Sequence, residues 1–192
     1  PEFIEPEKTE FYYSGKKGIA NSCFYAPEIE FEKIKSITNL FSSRFQFQPL
    51  SFRTGRFSAG PNTIKSLIAL NYKADTSITP NVRWDDHTRE KAVDFRKAPN
   101  QPYWIDPSSL VTESNKRTLL EVPVSIVRKK LSLSGYLRSM IKNKRIPYKA
   151  SKAVWLRPKF SGINEFRMII EKIYNENREN ENIVYNMMFH NV

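Results

Sequence analysis

The sequence contains little cysteine, histidine or glycine, and it has no long apolar run. Its one cysteine, Cys23, excludes an internal disulfide and a cysteine-rich zinc site. Its two histidines, His87 and His190, are far apart, so no His-x-His or His-Glu-x-x-His motif is present. The six glycines form neither a P-loop nor a Gly-x-Gly-x-x-Gly loop. No apolar run reaches the ~18 residues of a membrane span, and the first residue is Pro1 rather than Met, which leaves secretion open.

Acidic residues are absent from one long stretch of the chain. No Asp or Glu occurs between Val122 and Asn164, whereas eleven Lys and Arg residues do. This stretch accounts for the whole net charge of +11, because the remaining 20 basic residues are balanced by 20 acidic ones. A localised positive field favours an anionic partner such as a glycan, lipid headgroups or nucleic acid. A basic surface that only aids solubility is the alternative.

The 192 residues suit one domain with a buried core. Apolar spacing and a proline in the first turn predict a helix over 26–45. A strand at 50–53, a helix from Pro61 and a strand at 73–78 then predict a β-α-β unit with parallel strands. Farther along, the sequence predicts a long polar connection at 79–118, a buried strand at 119–126, helices at 131–145 and 163–177, and a last strand at 183–190. The fold class is therefore α/β with a parallel sheet.

Polar residues follow several of the predicted strands. Arg53 and Arg56 follow the first strand, Asp75 lies at the end of the second, and His190 ends the last one. Ligands of parallel α/β folds collect beyond the carboxyl ends of the strands. Arg53 can bind a carboxylate or an anionic ligand, and His190 can act as a general acid or base. A structural salt bridge at Arg53 and a buried structural histidine remain alternatives.

Five segments, in this order, resemble the NodB-type polysaccharide deacetylases of carbohydrate esterase family 4. They are SFRTGRFSAGPNTIKSL, NYKADTSITP, PYW, LLEVPVSI and NMMFH. Each segment alone is a weak signal, and their order is more specific. The resemblance runs from Pro27 to the end, and it is nearest to a subgroup associated with lipopolysaccharide and other surface-glycan biosynthesis.

This resemblance implies a distorted (β/α) barrel with parallel strands that deacetylates an N-acetylated sugar in a surface polysaccharide or a lipid-linked glycan. A divalent metal, often zinc, activates water in such enzymes, and an Asp acts as the base. Arg53 matches the arginine that orients the base, and His190 matches the histidine that protonates the leaving amine. The residues expected to contact substrate are Arg56, Asp75, Trp84 and Trp104.

The family's Asp motif and metal-binding His motif are not among these 192 residues. We therefore expect a single, truncated deacetylase-like domain, 1–192, that assembles no metal site and is inactive by itself. The full-length enzyme is expected to use a divalent metal, most often zinc in the family. We expect it in the cytoplasm, peripheral at the membrane where its glycan is lipid-linked.

Two other functions stay open from the sequence. The first is a metal-free homologue that binds a glycan without chemistry. The second is a basic module that binds a polyanion through 128–159, either an anionic membrane or nucleic acid. The basic helix at 131–145 fits an anionic membrane surface. Nucleic acid is the less favoured partner, because no RNA-binding motif with interleaved aromatic residues occurs.

Overall fold

The structure is a computed structural model that describes residues 21–85, 92–143, 150–158 and 161–189. These residues form four α-helices and nine short strands. The helices are α1 (Pro27–Phe45), α2 (Pro61–Ala69), α3 (Leu133–Asn143) and α4 (Ile163–Glu176). The strands are β1 (Ser51–Phe52), β2 (Ala74–Asp75), β3 (Arg83–Asp85), β4 (Ala92–Asp94), β5 (Tyr103–Asp106), β6 (Ser109–Glu113), β7 (Leu120–Glu121), β8 (Ile126–Lys130) and β9 (Ser151–Trp155). All four predicted helices are confirmed, and no described helix is long and apolar enough to cross a membrane.

The first turn of α2 is fixed by a buried polar contact with α1. The Thr63 hydroxyl accepts a hydrogen bond from the Gly60 backbone N–H at 2.8 Å and donates one to the Glu30 carboxyl. Position 60 has no room for a side chain, since a Cβ there would lie 2.8 Å from Cβ of Cys23. These contacts orient α2 between β1 and β2, so the chain returns alongside the strand that it left.

The main sheet has five strands in the order β1-β2-β7-β5-β6. Strands β1, β2 and β7 are parallel, whereas β5 pairs antiparallel with β7, and β6 with β5. The parallel β1-α2-β2 unit is therefore confirmed. The protein is a mixed α/β protein with a partly parallel sheet, and its described residues form no closed barrel. The core beneath this sheet includes Ile34, Ile64, Leu67, Ile78, Ile105 and Leu119.

The prediction of a long polar connection over 79–118 is wrong, because its described residues form two antiparallel hairpins, β3–β4 and β5–β6. In β5, Tyr103 and Ile105 are buried while Trp104 is only half-buried, which is the alternation of a strand with one wet face. The Asp106 carboxylate accepts a hydrogen bond from the Ser108 N–H at 2.8 Å and closes the turn. Polar residues in this stretch therefore mark strand faces and turns.

The strand predicted at 119–126 is shorter than expected. Only Leu120–Glu121 pairs within the main sheet, and the next strand, β8, pairs with β9 instead. Pro123 lies between the two strands, and proline has no N–H with which to continue a ladder. Regular strand pairing therefore ends at Glu121, although the Val122 and Val124 N–H groups still donate to the Asp75 and Ile78 carbonyls.

A second layer is formed by the antiparallel ribbon β8–β9 and by α4, which packs against it. The sequence analysis identified this region by its charge and did not predict the ribbon. Its core has apolar residues from both strands and the helix: Val127, Val154, Leu156, Ile169 and Ile173. Arg128, Lys129 and Lys130 are consecutive in β8, so no alternation of apolar and polar residues marks this strand in the sequence.

The predicted strand at 183–190 is absent from its described part, 183–189. This segment contacts neighbours through isolated hydrogen bonds. The Ser125 N–H donates to the Asn186 carbonyl, while the Asn186 N–H donates to the Ser125 hydroxyl rather than to a backbone carbonyl. The Val184 N–H likewise donates to the Gln101 side chain. The Met188 N–H donates to the Leu156 carbonyl, but the bonds from Val184 and Asn186 go to side chains, so no continuous ladder forms. His190 lies outside the described residues.

Candidate functional site

The carboxyl ends of the three parallel strands meet at one edge of the main sheet. Phe52, Asp75 and Glu121 are directly opposite one another in β1, β2 and β7. Arg53 follows β1 immediately. Because side chains in one row of a sheet lie on the same face, Asp75 and Glu121 are neighbours, and Arg53 lies beside them.

Asp75 and Glu121 form a buried acid pair. Both side chains are 0% exposed, and their carboxyl groups are in hydrogen-bond contact. Asp75 also accepts hydrogen bonds from the Ser77 hydroxyl at 2.7 Å and the Ser77 N–H at 3.2 Å. Glu121 Oε1 accepts one from the Ile78 N–H at 3.1 Å, whereas Glu121 Oε2 has no donor among the described residues.

The pair is best satisfied when it shares one proton. Burial raises the pKa of both carboxyl groups, and the charge of Asp75 raises the pKa of Glu121 further, well above its ordinary value. The hydrogen bond between them lowers the pKa of Asp75 and raises that of Glu121. These directions favour retention of one proton by the pair, and the charge of Asp75 favours Glu121 as its carrier.

Ser77 connects this pair to the end of β1. Its hydroxyl donates to Asp75 and accepts a hydrogen bond from the Thr54 N–H at 2.9 Å. Thr54 and Ser77 are both buried. This buried chain of hydrogen bonds fixes the backbone next to Arg53, so the position of Arg53 depends on residues beneath it.

Arg53 lies above the acid pair, at the surface. Its Nε donates to the Thr76 carbonyl at 3.1 Å, and its Nη2 donates to the Thr76 hydroxyl at 2.8 Å and to Asn186 Oδ1 at 3.4 Å. Desolvation lowers the pKa of Arg53, while the charges of Asp75 and Glu121 raise it. No salt bridge joins Arg53 to either acid in the part of the chain that the structure describes, so the acids act on it through their field.

Asn186 connects three parts of the site by hydrogen bonds, and nothing in the sequence indicated this role. Its Nδ2 donates to the Thr76 hydroxyl at 2.7 Å and to the Val122 carbonyl at 2.8 Å. It therefore joins the residues that follow β2 and β7, and its Oδ1 accepts the bond from Arg53. The 183–189 segment thus contributes to the site through this side chain.

Three aromatic rings lie beside Arg53. Phe57 stacks on Trp84 with 6.0 Å between ring centroids and 14° between planes, and Trp155 lies 5.6 Å from Phe57 and 6.0 Å from Trp84. The Arg53 guanidinium carbon lies 5.8 Å from the Phe57 centroid. All three rings are partly accessible. Aromatic rings beside hydrogen-bond donors form a surface that can contact the apolar face of a sugar.

The structure brings together three of the predicted site residues, namely Arg53, Asp75 and Trp84. Arg56 is exposed on the same turn, with a left-handed φ of 55°, and has no described contact with the acid pair. Trp104 pairs with Leu120, one residue away from the Tyr103–Glu121 pair, and therefore lies on the opposite face of the sheet. His190 falls outside the described residues.

The described residues offer no donor set for a metal. No group of three or more His, Cys, Asp or Glu side chains that could hold a metal ion occurs among them. The metal implied by the deacetylase resemblance therefore does not fit the described part of this chain. We assign no chemical step to a metal here.

Comparison of the chain with protein-family models, curated proteins and solved structures found no match. A functional assignment therefore rests on the site itself. That site combines an exposed arginine, a buried acid pair and an aromatic surface at the carboxyl ends of parallel strands. This arrangement suits the binding of a polar, partly apolar ligand such as a sugar.

Proposed function

We propose that this chain is part of a glycan-processing protein of the polysaccharide deacetylase type and that it binds an N-acetylated glycan at the edge described above. The observation that carries this proposal is the position of Arg53, exposed above a buried acid pair and beside the Phe57, Trp84 and Trp155 rings. The three parallel strands β1, β2 and β7 would then form one part of a distorted barrel.

The aromatic rings and Arg53 have separate roles in this proposal. The rings stack on the apolar face of a sugar and exclude water from one side of it. Arg53 donates hydrogen bonds to a carboxylate or to the acetyl oxygen of the ligand. Thr76 and Asn186 already engage its Nε and Nη2, so the guanidinium is oriented before the ligand arrives.

The acid pair stabilises the positive charge of Arg53 without forming a salt bridge to it among the described residues. Because the two carboxyl groups share one proton, the pair carries about one negative charge beneath the guanidinium. This charge stabilises the arginine at its partly desolvated position. The Nε and Nη2 groups of Arg53 are hydrogen-bonded to neutral groups of Thr76 and Asn186. A ligand anion can therefore bind Arg53 without displacing a carboxylate from it.

The proposed chemistry is hydrolysis of the acetamide group of the sugar. His190 is the proposed general acid that protonates the leaving amine, and Arg53 positions the catalytic carboxylate. That carboxylate and any metal would come from residues other than those described. The alternative function is glycan binding without hydrolysis, which the aromatic surface favours by itself.

Binding to N-acetylglucosamine oligosaccharides tests the proposal. Trp84 and Trp155 are in the site, so tryptophan fluorescence should report the ligand. We expect Arg53→Gln to weaken binding by about tenfold, because a charged hydrogen-bond donor is lost. The matched control is Arg117→Gln, which removes an equally exposed arginine before β7. If the oligosaccharides do not bind, or if both variants bind them equally well, the proposal is wrong.

An assay of acetate release distinguishes the two proposed functions, deacetylation and glycan binding without hydrolysis. The assay uses zinc and is made on this chain and on the chain extended by any sequence that its gene encodes before Pro1. We expect release only from the extended chain, and loss of it in His190→Ala. Oligosaccharide binding without acetate release from either chain would support the binding protein instead.

A further inference from the structure

Helix α3 exposes a stripe of large apolar side chains. Leu133, Leu137 and Ile141 are 77%, 52% and 80% exposed, respectively. They are four residues apart, so they form one stripe along the helix. Tyr136 and Met140 are half-buried and lie next to this stripe. With about 100° per residue, the five side chains span an arc of about 140°, of which the protein covers only one edge.

The other described residues do not explain this stripe. α3 packs extensively against no other described helix or strand. A helix of its length is only marginally stable in water without a packing partner. An apolar face left open on such a helix indicates a surface that is covered when the protein binds something.

The charges around the stripe specify the partner. Arg138 lies beside Ile141 on the helix surface, and Lys130 precedes the helix at the end of β8; both are exposed. Neither forms a salt bridge in the part of the chain that the structure describes. The nearest acids in sequence are Glu121 and Glu165; Glu121 is buried, and Glu165 pairs with Lys129 and Lys152. The described charged residues next to the stripe in sequence are therefore all positive.

We propose that α3 docks this protein on an anionic membrane surface, with Leu133, Leu137 and Ile141 inserted among the headgroups. Apolar side chains bordered by Lys and Arg are the pattern of a helix that lies in the membrane interface. Lipid acyl chains cover the stripe, and anionic headgroups compensate the bordering charges. A second copy of the chain is a poor occupant, because it would bring the same positive charge to the contact.

The exposed apolar residues of α1 differ in this respect. Leu40 is 70% exposed, but α1 carries charges of both signs, including the Glu32–Lys35 ion pair. Exposure of apolar side chains occurs in both helices, whereas charge of one sign occurs only around α3. Leu40 therefore provides a matched control for the loss of an exposed apolar residue.

Sedimentation with vesicles tests this proposal independently of glycan binding. The vesicles contain phosphatidylcholine, with or without phosphatidylglycerol. We expect the wild-type protein to bind only the anionic vesicles and to dissociate as salt screens the charges. The double variant Leu137→Ser/Ile141→Ser should bind at least about tenfold more weakly, Arg138→Gln about threefold more weakly, and Leu40→Ser as the wild type does.

Circular dichroism checks that each variant is folded, and Leu133→Ser replaces the double variant if that one is not. The proposal is overturned if the wild-type protein does not bind anionic vesicles, or if the serine variants in α3 bind as tightly as it does. Binding to heparin is measured as well. If α3 belongs to a nucleic-acid or general polyanion surface, the serine variants should still bind heparin and vesicles, whereas Arg138→Gln should bind neither. That result would also overturn the membrane proposal.

Discussion

The acid pair at the main-sheet edge and the basic residues of the β8-α3-β9 region are both groups of like charge. The acids are buried, whereas most of the basic residues described there are exposed. At the sheet edge, Asp75 and Glu121 are completely buried and hydrogen-bonded to each other. In the basic region, Lys130 and Arg138 are exposed to water. Buried charges must be compensated locally, because desolvation costs several kcal/mol for each ion. Exposed charges need no such compensation and are available to a partner.

This contrast separates the residues that stabilise the fold from those that are exposed for binding. The acid pair determines the local geometry of Arg53 through short hydrogen bonds and a field that little water screens. The basic region acts on its surroundings through a field that salt screens. The same substitution should therefore have very different effects in the two regions.

The largest difference is expected for a new aspartate in each region. Ser77→Asp removes a donor to Asp75 and adds a third carboxyl group to the buried pair, so we expect it to lower the free energy of unfolding by about 4 kcal/mol or more. Ser134→Asp places the same side chain in the exposed first turn of α3, where the change should stay within about 0.5 kcal/mol. Urea denaturation at neutral pH measures both. Equal effects would contradict the contrast.

A smaller effect is expected when the shared proton is removed from the pair. The pKa of Glu121 is raised well above its ordinary value of 4.5 in the folded protein, chiefly by burial. The folded protein therefore retains a proton that the unfolded chain has lost, so stability falls as pH rises from about 4.5 toward the folded-state pKa. Glu121→Gln keeps a donor to Asp75 and an acceptor for the Ile78 N–H, but it does not ionise.

We expect Glu121→Gln to remove the part of this pH-dependent loss that Glu121 causes, while buried Glu30, whose pKa is raised to about 7, still contributes its own part. The variant should match the wild type near pH 4 and exceed it by about 1–3 kcal/mol near pH 8, as measured by urea denaturation over the pH range. Glu113→Gln, on the exposed end of β6, is the control and should leave the wild-type profile unchanged. A wild-type stability that rises with pH and runs parallel to that of Glu121→Gln would show that the acids do not share a proton.

The sequence predicted the helices and the parallel unit well, because apolar spacing and the Gly60–Pro61 boundary are local signals. It did not predict the β8–β9 ribbon, since the consecutive basic residues 128–130 leave β8 without an apolar–polar alternation. The β5–β6 hairpin had a usable signal, namely the Asp106-Pro107 turn between two apolar segments. Pairing partners far apart in sequence, such as Lys130 and Ser151, cannot be read from local pattern.

The candidate site was predictable only in part, because some of its residues are far apart in sequence. Arg53 and Asp75 follow strands directly, so their position could be inferred from the order of elements. Glu121 was included in an apolar strand, although a single acid within such a strand indicates a buried polar role. Asn186 and Trp155 come from segments that adjoin the site only in the folded chain.

The smallest expected effect concerns Glu165, an acid that pairs with the basic ribbon β8–β9. Glu165 Oε1 lies 3.3 Å from both Lys129 Nζ and Lys152 Nζ. Desolvation is the largest single influence and raises the pKa of Glu165, but the hydrogen bonds and charges of Lys152 and Lys129 together outweigh it, so the pKa is lowered on balance. A lowered pKa stabilises the folded protein above the unfolded-state value, and this stabilisation is lost as pH falls through the folded-state value.

Glu165→Gln should therefore lower the free energy of unfolding by only about 0.5 kcal/mol at neutral pH, because the three side chains are partly exposed and water screens their charges. The difference should disappear in high salt and at acidic pH, as followed by urea denaturation. Glu171→Gln, at an exposed position of the same helix, controls for the change in net charge. A loss of several kcal/mol that salt does not reduce would mean that the basic ribbon, like the sheet edge, depends on a desolvated charge, and the contrast between the two regions would fail there.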